Sequence, residues 1–337
     1  MSNHKSVRRI VHRCAEELDA TIKIAKVLSI GEALETFRAK VDIQIMNRNG
    51  YYENESRKQH LLRKHDIMVR YFEKTFGDFL NSYDYNHEEE ILPNSEYSDC
   101  IWVCWWQGLD EAPELVKKCV ESIKKNAGDH RVIVLTEDNY KHYVEIPEWI
   151  EDKKDKGIIT RTHYSDLLRL FLLSKYGGMW LDSTFLCTKP VLDEYFKQSV
   201  WSIKRPDYFH ASVASGYFAN YSLACDLKSR FAFSTIRDFV LEYWKRNDVM
   251  IDYLLLDYLI VLAQKMDSRI SELFSNIRPN NPNCDELYKV LGDEFDVDKW
   301  KKIKQDTFLF KLSWKYQYSK GKNSRETFYG CLIDGKL

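Results

Sequence analysis

None of the eight cysteines forms a CxxC pair, and no histidine stands at zinc-finger spacing from them. The usual structural zinc sites are thereby excluded. Cys100 and Cys104 are four apart, but Cys104 lies in an apolar, strand-like run and reads as a buried thiol. No apolar stretch reaches the roughly 20 residues a spanning helix needs, and the first residues lack a signal-peptide pattern. Reduced cysteines in a cytoplasmic protein are the expectation. Neither sign of charge is in excess: the net charge of −1 gives no global attraction to nucleic acid. Internal repeats and low-complexity tracts are absent too.

What is present is ordinary globular material. The chain has 337 residues, 44% hydrophobic and 30% charged, enough for one large core or a core with a substantial appendage. Aromatics reach 14%, with 21 Tyr and 9 Trp; they fill cores, and they also stack on sugars and nucleotides.

Residues 1–95 are poor in glycine and hold a single proline, Pro93. Apolar residues recur there at helical spacing: Ile10, Cys14, Leu18, Ile22 and Ala25 on one face, then Leu61, Ile67, Val69, Phe72, Phe76 and Leu80. A helical bundle closed by the acidic stretch YDYNHEEEILPNSE is expected, as an extension distinct from residues 96–337. The basic cluster Lys5, Arg8, Arg9, His12 and Arg13 reads first as a solvated helix face and second as a peripheral contact with an anionic membrane.

From residue 100 the period changes. CIWVCWW and HRVIVLT read as buried strands separated by the helical APELVKKCVESIKKN, with Pro113 in the first turn. Strand, helix, strand in that order predicts a parallel sheet of α/β type with a crossover helix. A second helix over about 162–175 leads through Gly177, a left-handed cap, into a strand over 179–186. Ligands of open α/β sheets gather beyond the carboxyl ends of the strands, and Asp182 falls near such an end. Later helices are expected over STIRDFVLEYWKRN and IDYLLLDYLIVLAQKM, and a short strand within DTFLFKLSWK.

Asp166 and Arg169 share a helix face at i,i+3. An Arg there can neutralise a diphosphate, an Asp can accept from sugar or ribose hydroxyls, and a strand-end Asp can hold a divalent cation. SDLLR at 165–169 followed by YGGMWLD at 176–182 resembles the SDxxR…GGxYxDxD signature of a glycosyltransferase group. That group includes yeast mannosyltransferases, clostridial glucosylating toxins and bacterial capsular polysaccharide synthesis glycosyltransferases. The resemblance to the capsular group extends to WVCWWQG, APELVKKC and KLSWK, over roughly 98–318, with the N-terminal helices outside it.

The resemblance implies a GT-A, Rossmann-like nucleotide-sugar-binding domain with an N-terminal helical extension. It implies a UDP- or GDP-sugar donor, Mn²⁺ or Mg²⁺ on the diphosphate, and retention of anomeric configuration. It places Trp102 and Asn139 by the nucleotide base, Asp166 and Arg169 on the sugar and phosphate, Asp182 on metal and ribose, and Trp314 over the diphosphate. Ser165, Gly178 and Trp180 belong to the same motifs. The second Asp of the pattern is Thr184 here, a weaker metal ligand. Lys311 stands where a late His or Glu ligand is expected, placed to supply charge to the leaving diphosphate. Gln107 and Gly108 suit a turn at the donor pocket, and His163 reads as a packing residue. Asp252 and Asp257, five apart in an apolar helix, are the acceptor candidates. The expected partners are a nucleotide sugar and a glycan acceptor, free or lipid-linked, with no nucleic acid and an open oligomeric state. A nucleotidyltransferase would want a Gly- and Lys-bearing loop that CWWQGLDEAPE lacks. A sugar-nucleotide-binding protein with a decayed DxD is the non-enzymatic alternative.

Overall fold

The computed structural model describes residues 16–48, 50, 52–86, 97–190, 192–206 and 210–337. Ile10, Cys14, the basic cluster at 5–13 and Pro93 lie outside them. The described chain begins with helices α1 (16–27), α2 (Ile30–Arg48), α3 (Glu55–Thr75) and α4 (Gly77–Ser82). There follow β1 (Ile101–Cys104), α5 (Glu114–Lys125), β2 (Val132–Leu135), α6 (Glu148–Asp155), α7 (Arg161–Tyr176) and β3 (Gly178–Leu181). Next come β4 (Phe185–Cys187), α8 (Leu192–Phe196), β5 (Val200–Ser202), β6 (Ser222–Cys225), α9 (Arg230–Arg246), α10 (Leu255–Met266) and α11 (Ser268–Ser275). The chain closes with α12 (Glu286–Val290), α13 (Val297–Ile303), β7 (Leu309–Lys311), β8 (Gly321–Lys322), β9 (Arg325–Glu326) and α14 (Phe328–Ile333).

The expected α/β architecture is found. The main sheet runs β2-β1-β3-β6-β5. β1 lies between β2 and β3, parallel to both, with Trp102 opposite Ile133 on one side and Trp180 on the other. β6 and β5 add antiparallel to β3. Helix α5 is the crossover between β1 and β2, burying Leu115, Val116, Cys119, Val120 and Ile123 on one stripe.

Helix α7 is enclosed on nearly every side from Leu167 onward, with Leu167, Leu168, Leu170, Leu172 and Leu173 fully buried. That pattern fits a helix enclosed by its neighbours, here α9 and the sheet. Its ends are fixed by local chemistry. Thr160 Oγ1 accepts from His163 N at 3.4 Å, and Gly177, at φ +72°, closes the last turn with N–H to Leu173 O.

Three expectations are revised. The strand expected over 179–186 is two strands, broken by a turn in which Phe185 N donates to Asp182 O at 3.1 Å. β4 then leaves the main sheet and pairs antiparallel with β7, setting Phe185 opposite Lys311. The helix expected from 251 starts at Leu255, so Asp252 precedes it. On α1 the buried residues are Ala20 and Ile24, whereas Leu18 and Ile22 face outward. Small Ala20 and Ala33 allow close helix approach at that seam, and the core there continues through Ile67, Met68 and Phe72 into Tyr258 and Leu259 of α10. The N-terminal helices and α9–α10 thus bury their apolar faces in one shared cluster.

Candidate active site

The break after β3 puts Asp182 at the carboxyl end of a sheet strand, with its N–H on Tyr221 O at 3.1 Å. Two different cations hold the carboxylate. Oδ2 faces Lys311 Nζ at 3.1 Å. Oδ1 accepts from Trp180 Nε1 at 3.1 Å and stands 3.7 Å from Arg169 Nη2. Burial pushes this carboxyl up, but Lys311 and Arg169 outweigh it and hold Asp182 below its ordinary value. It is an anion at neutral pH.

Arg169 is the hub. Its guanidinium lies 5.0 Å from the Trp180 ring centre, Nη2 is 3.1 Å from Asp166 Oδ1, and Nη1 donates to the backbone oxygen of Asn220. Only 5% of its side chain is exposed, and its Nε has no partner. Asp166 Oδ2 is 3.2 Å from His163 Nδ1, and the His163 ring meets Tyr253 edge-on at 5.6 Å. Beyond Asn220 the array ends in Asp257, whose Oδ2 accepts from Asn220 Nδ2 at 2.6 Å. Burial, reinforced by the Asp166 charge, pushes the Asp257 carboxyl up to about 7. Exposure rises from Arg169 through Asp166 at 14% to Lys311 at 23% and Asp182 at 29%, so a ligand meets the last two first.

Asp166, Arg169, Trp180, Asp182, Thr184, Lys311 and Asp257 are therefore joined in one contact network. Ser165 lies on the same helix face and accepts from Trp106 Nε1 at 3.0 Å. Trp314 is 46% exposed and meets Trp105, just past β1, edge-on at 5.5 Å. Gln107 is exposed in the turn that Gly108, at φ +78°, completes.

Four expected site residues have other placements. Trp102 is fully buried, stacked on Tyr176 at 5.8 Å and flanked by Tyr97 and Tyr143, because its strand points it into the helical layer. Asn139 spends its side chain on the turn after β2, accepting from Thr136 N and donating to Val134 O. Gly178 is needed by the backbone: at φ +83° an added Cβ would lie 2.6 Å from Cys100 O. Asp252 is buried against α3, 2.9 Å from Lys64 Nζ. His163 and the unforeseen Asn220 and Tyr253 take places at the site instead. The His163 and Asp166 spacing of three was a usable signal; nothing near Asn220 in the sequence marked it.

No group of three His, Cys, Asp or Glu side chains among the described residues is placed to hold a metal. Thr184 Oγ1 accepts from Lys311 Nζ at 2.6 Å, and both Asp182 oxygens have cationic or N–H neighbours. Mg²⁺ and Mn²⁺ take oxygen ligands, Mg²⁺ commonly one or two carboxylates together with substrate phosphates. Asp182 and Thr184 offer one carboxylate between them, already facing an ammonium and an indole N–H, so the residues as placed do not fit the expected metal. Nor does Cys104 offer a nucleophile, since burial pushes its thiol up to about 12.

The fold and this network define an α/β protein whose charged site sits at the ends of parallel strands, where such sheets bind anionic ligands. The family model described as capsular polysaccharide synthesis protein matches residues 48–332, and the chain belongs to that family. The match starts at residue 48, inside the helical region that the motifs alone left out. Membership agrees with the expected class of enzyme, a glycosyltransferase. No curated protein matches the chain. A solved structure titled PaToxG glycosyltransferase is similar at 16% identity and a TM-score of 0.34, covering 62% of this chain and 85% of that one.

Proposed function

We propose that the protein transfers a hexose from a UDP- or GDP-sugar to a glycan acceptor, lipid-linked in the growing polysaccharide, with retention of configuration. The supporting observation is the Asp166–Arg169–Asp182–Lys311 array at the end of β3. In this reading Asp166 and Asp182 accept from donor hydroxyls, while Lys311 and Arg169 balance the diphosphate charge. The sugar C1–O bond breaks with its electron pair left on the diphosphate oxygen. C1 bonds the acceptor hydroxyl oxygen, and that hydroxyl proton ends on the departing diphosphate. Charge stabilisation at the leaving group is the main catalytic need, since no protein nucleophile takes part. Asp257, whose carboxyl is neutral for part of the physiological range, lies at the far end of the array from Lys311 and is assigned to the acceptor side. Trp314 is assigned to the donor as a movable aromatic cover.

The test is release of UDP or GDP from a panel of nucleotide sugars by the purified protein, beside Asp182→Asn. Release from one donor, reduced about 100-fold or more in the variant, is the expected result. Binding of a nucleotide sugar without release, even with surface glycans added, would instead favour a binding protein.

A further inference from the structure

Lys311 stands between the two residues that a DxD pattern would make metal ligands, Asp182 and Thr184. Its placement is built into the fold. The β4–β7 pairing sets Lys311 beside Phe185, Leu312 N donates to Thr184 O at 2.9 Å, and Lys311 N donates to Cys284 O at 2.9 Å. The ammonium also lies 5.7 Å from the Phe185 ring centre and 5.5 Å from that of Tyr221, aromatic faces that favour a cation. A divalent ion at Asp182 would have to displace this ammonium and then sit beside the buried Arg169, held at 3.1 Å by Asp166. An ammonium has three donors, and Asp182 and Thr184 account for two, which leaves one for a phosphate oxygen.

We infer that Lys311 is the resident cation of this site: its ammonium takes the position of a divalent metal and contacts the donor's diphosphate directly, so donor binding requires no metal. The inference rests on the glycosyltransferase reading above and deepens it. Arg169, almost fully buried and committed to Asp166 and Asn220, orients the carboxylates. Lys311, in the more open part, meets the phosphate. The substitution of Thr184 for a second carboxylate then has a physical reason. A hydroxyl accepts from the ammonium without adding a negative charge that would repel the diphosphate.

The experiment is calorimetric titration of the full chain with UDP and with GDP, in EDTA, in Mn²⁺ and in Mg²⁺. The wild type is compared with Lys311→Ala and Lys311→Arg, each checked for folding by thermal melt. Expected is one nucleotide bound with the same affinity, within about threefold, in EDTA and in either metal. In EDTA, Lys311→Ala should weaken it about tenfold or more, and Lys311→Arg should restore most of the loss. Wild-type binding that disappears in EDTA overturns the inference without any variant. So does Lys311→Ala binding as tightly as wild type. If neither nucleotide binds under any condition, the glycosyltransferase reading itself fails.

Discussion

Asn220 Nδ2 donates to Asp257 Oδ2 at 2.6 Å, while the backbone oxygen of the same asparagine receives Arg169 Nη1. A buried carboxyl on α10 is thus linked through one residue to the arginine behind the strand-end carboxylate.

The burial of that carboxyl, which the link to Asn220 and Arg169 only partly offsets, makes stability depend on pH. Burial and then Asp166 raise Asp257 from 3.8 to about 7. Between those values the folded state holds a proton that the unfolded chain has lost, so stability falls as pH rises through this window and levels off above it. Asp257→Asn keeps an acceptor for Asn220 and removes the titration. It should stabilise the protein by on the order of 2 kcal/mol near pH 8 and by almost nothing near pH 4. Melting temperatures of both proteins across that range check it; equal gains at both ends would contradict the linkage.

Asp252 shows the opposite sign. Burial would raise it, but Lys64 at 2.9 Å and Lys40 at 3.8 Å bring it down to about 2. Its contribution is complete above about pH 4 and is lost as pH falls toward 2. Lys64 is 1% exposed, so removing Asp252 leaves it buried without its carboxylate, and removing Lys64 leaves Asp252 with only the more distant Lys40. Lys64→Ala should cost about 3–5 kcal/mol in urea unfolding, whereas Lys64→Met with Asp252→Leu should recover most of it. If the double variant is no better than the single one, the pair is more than a compensated charge.

The sequence made the local features readable. Period change exposed the strand–helix–strand unit, Gly177 marked the end of α7, and the helical spacing joined Asp166 to Arg169. What it hid depends on contacts between distant segments. Lys311 reaches Thr184, 127 residues away, only through the β4–β7 pairing. Asn220 enters because β6 runs antiparallel to β3. Asp252 and Asp257 look alike in sequence, yet one meets a lysine of α3 and the other an asparagine beside β6. Trp102 reads as an aromatic on the first strand, and which face of a buried strand it occupies is decided by the layers packed on either side.

Gly178 offers the sharpest test of how the backbone serves the site. It opens β3 at φ +83°, and Met179 N donates to Cys100 O at 2.9 Å. An alanine Cβ would come within 2.6 Å of that same Cys100 oxygen, so β1 and β3 would have to move apart. Gly108 is the control: at φ +78° it too lies at positive φ, but nothing lies within 4 Å of an added Cβ. Gly108→Ala should therefore show the backbone strain alone, about 1–2 kcal/mol. Gly178→Ala should cost at least about 2 kcal/mol beyond that, because backbone rather than a flexible side chain obstructs it. The same displacement would carry Trp180 and Asp182 away from Arg169, so nucleotide affinity should fall in the Gly178 variant. Equal unfolding free energies for the two variants would show that the sheet yields to the added methyl, and that the glycine serves only its own torsion angle.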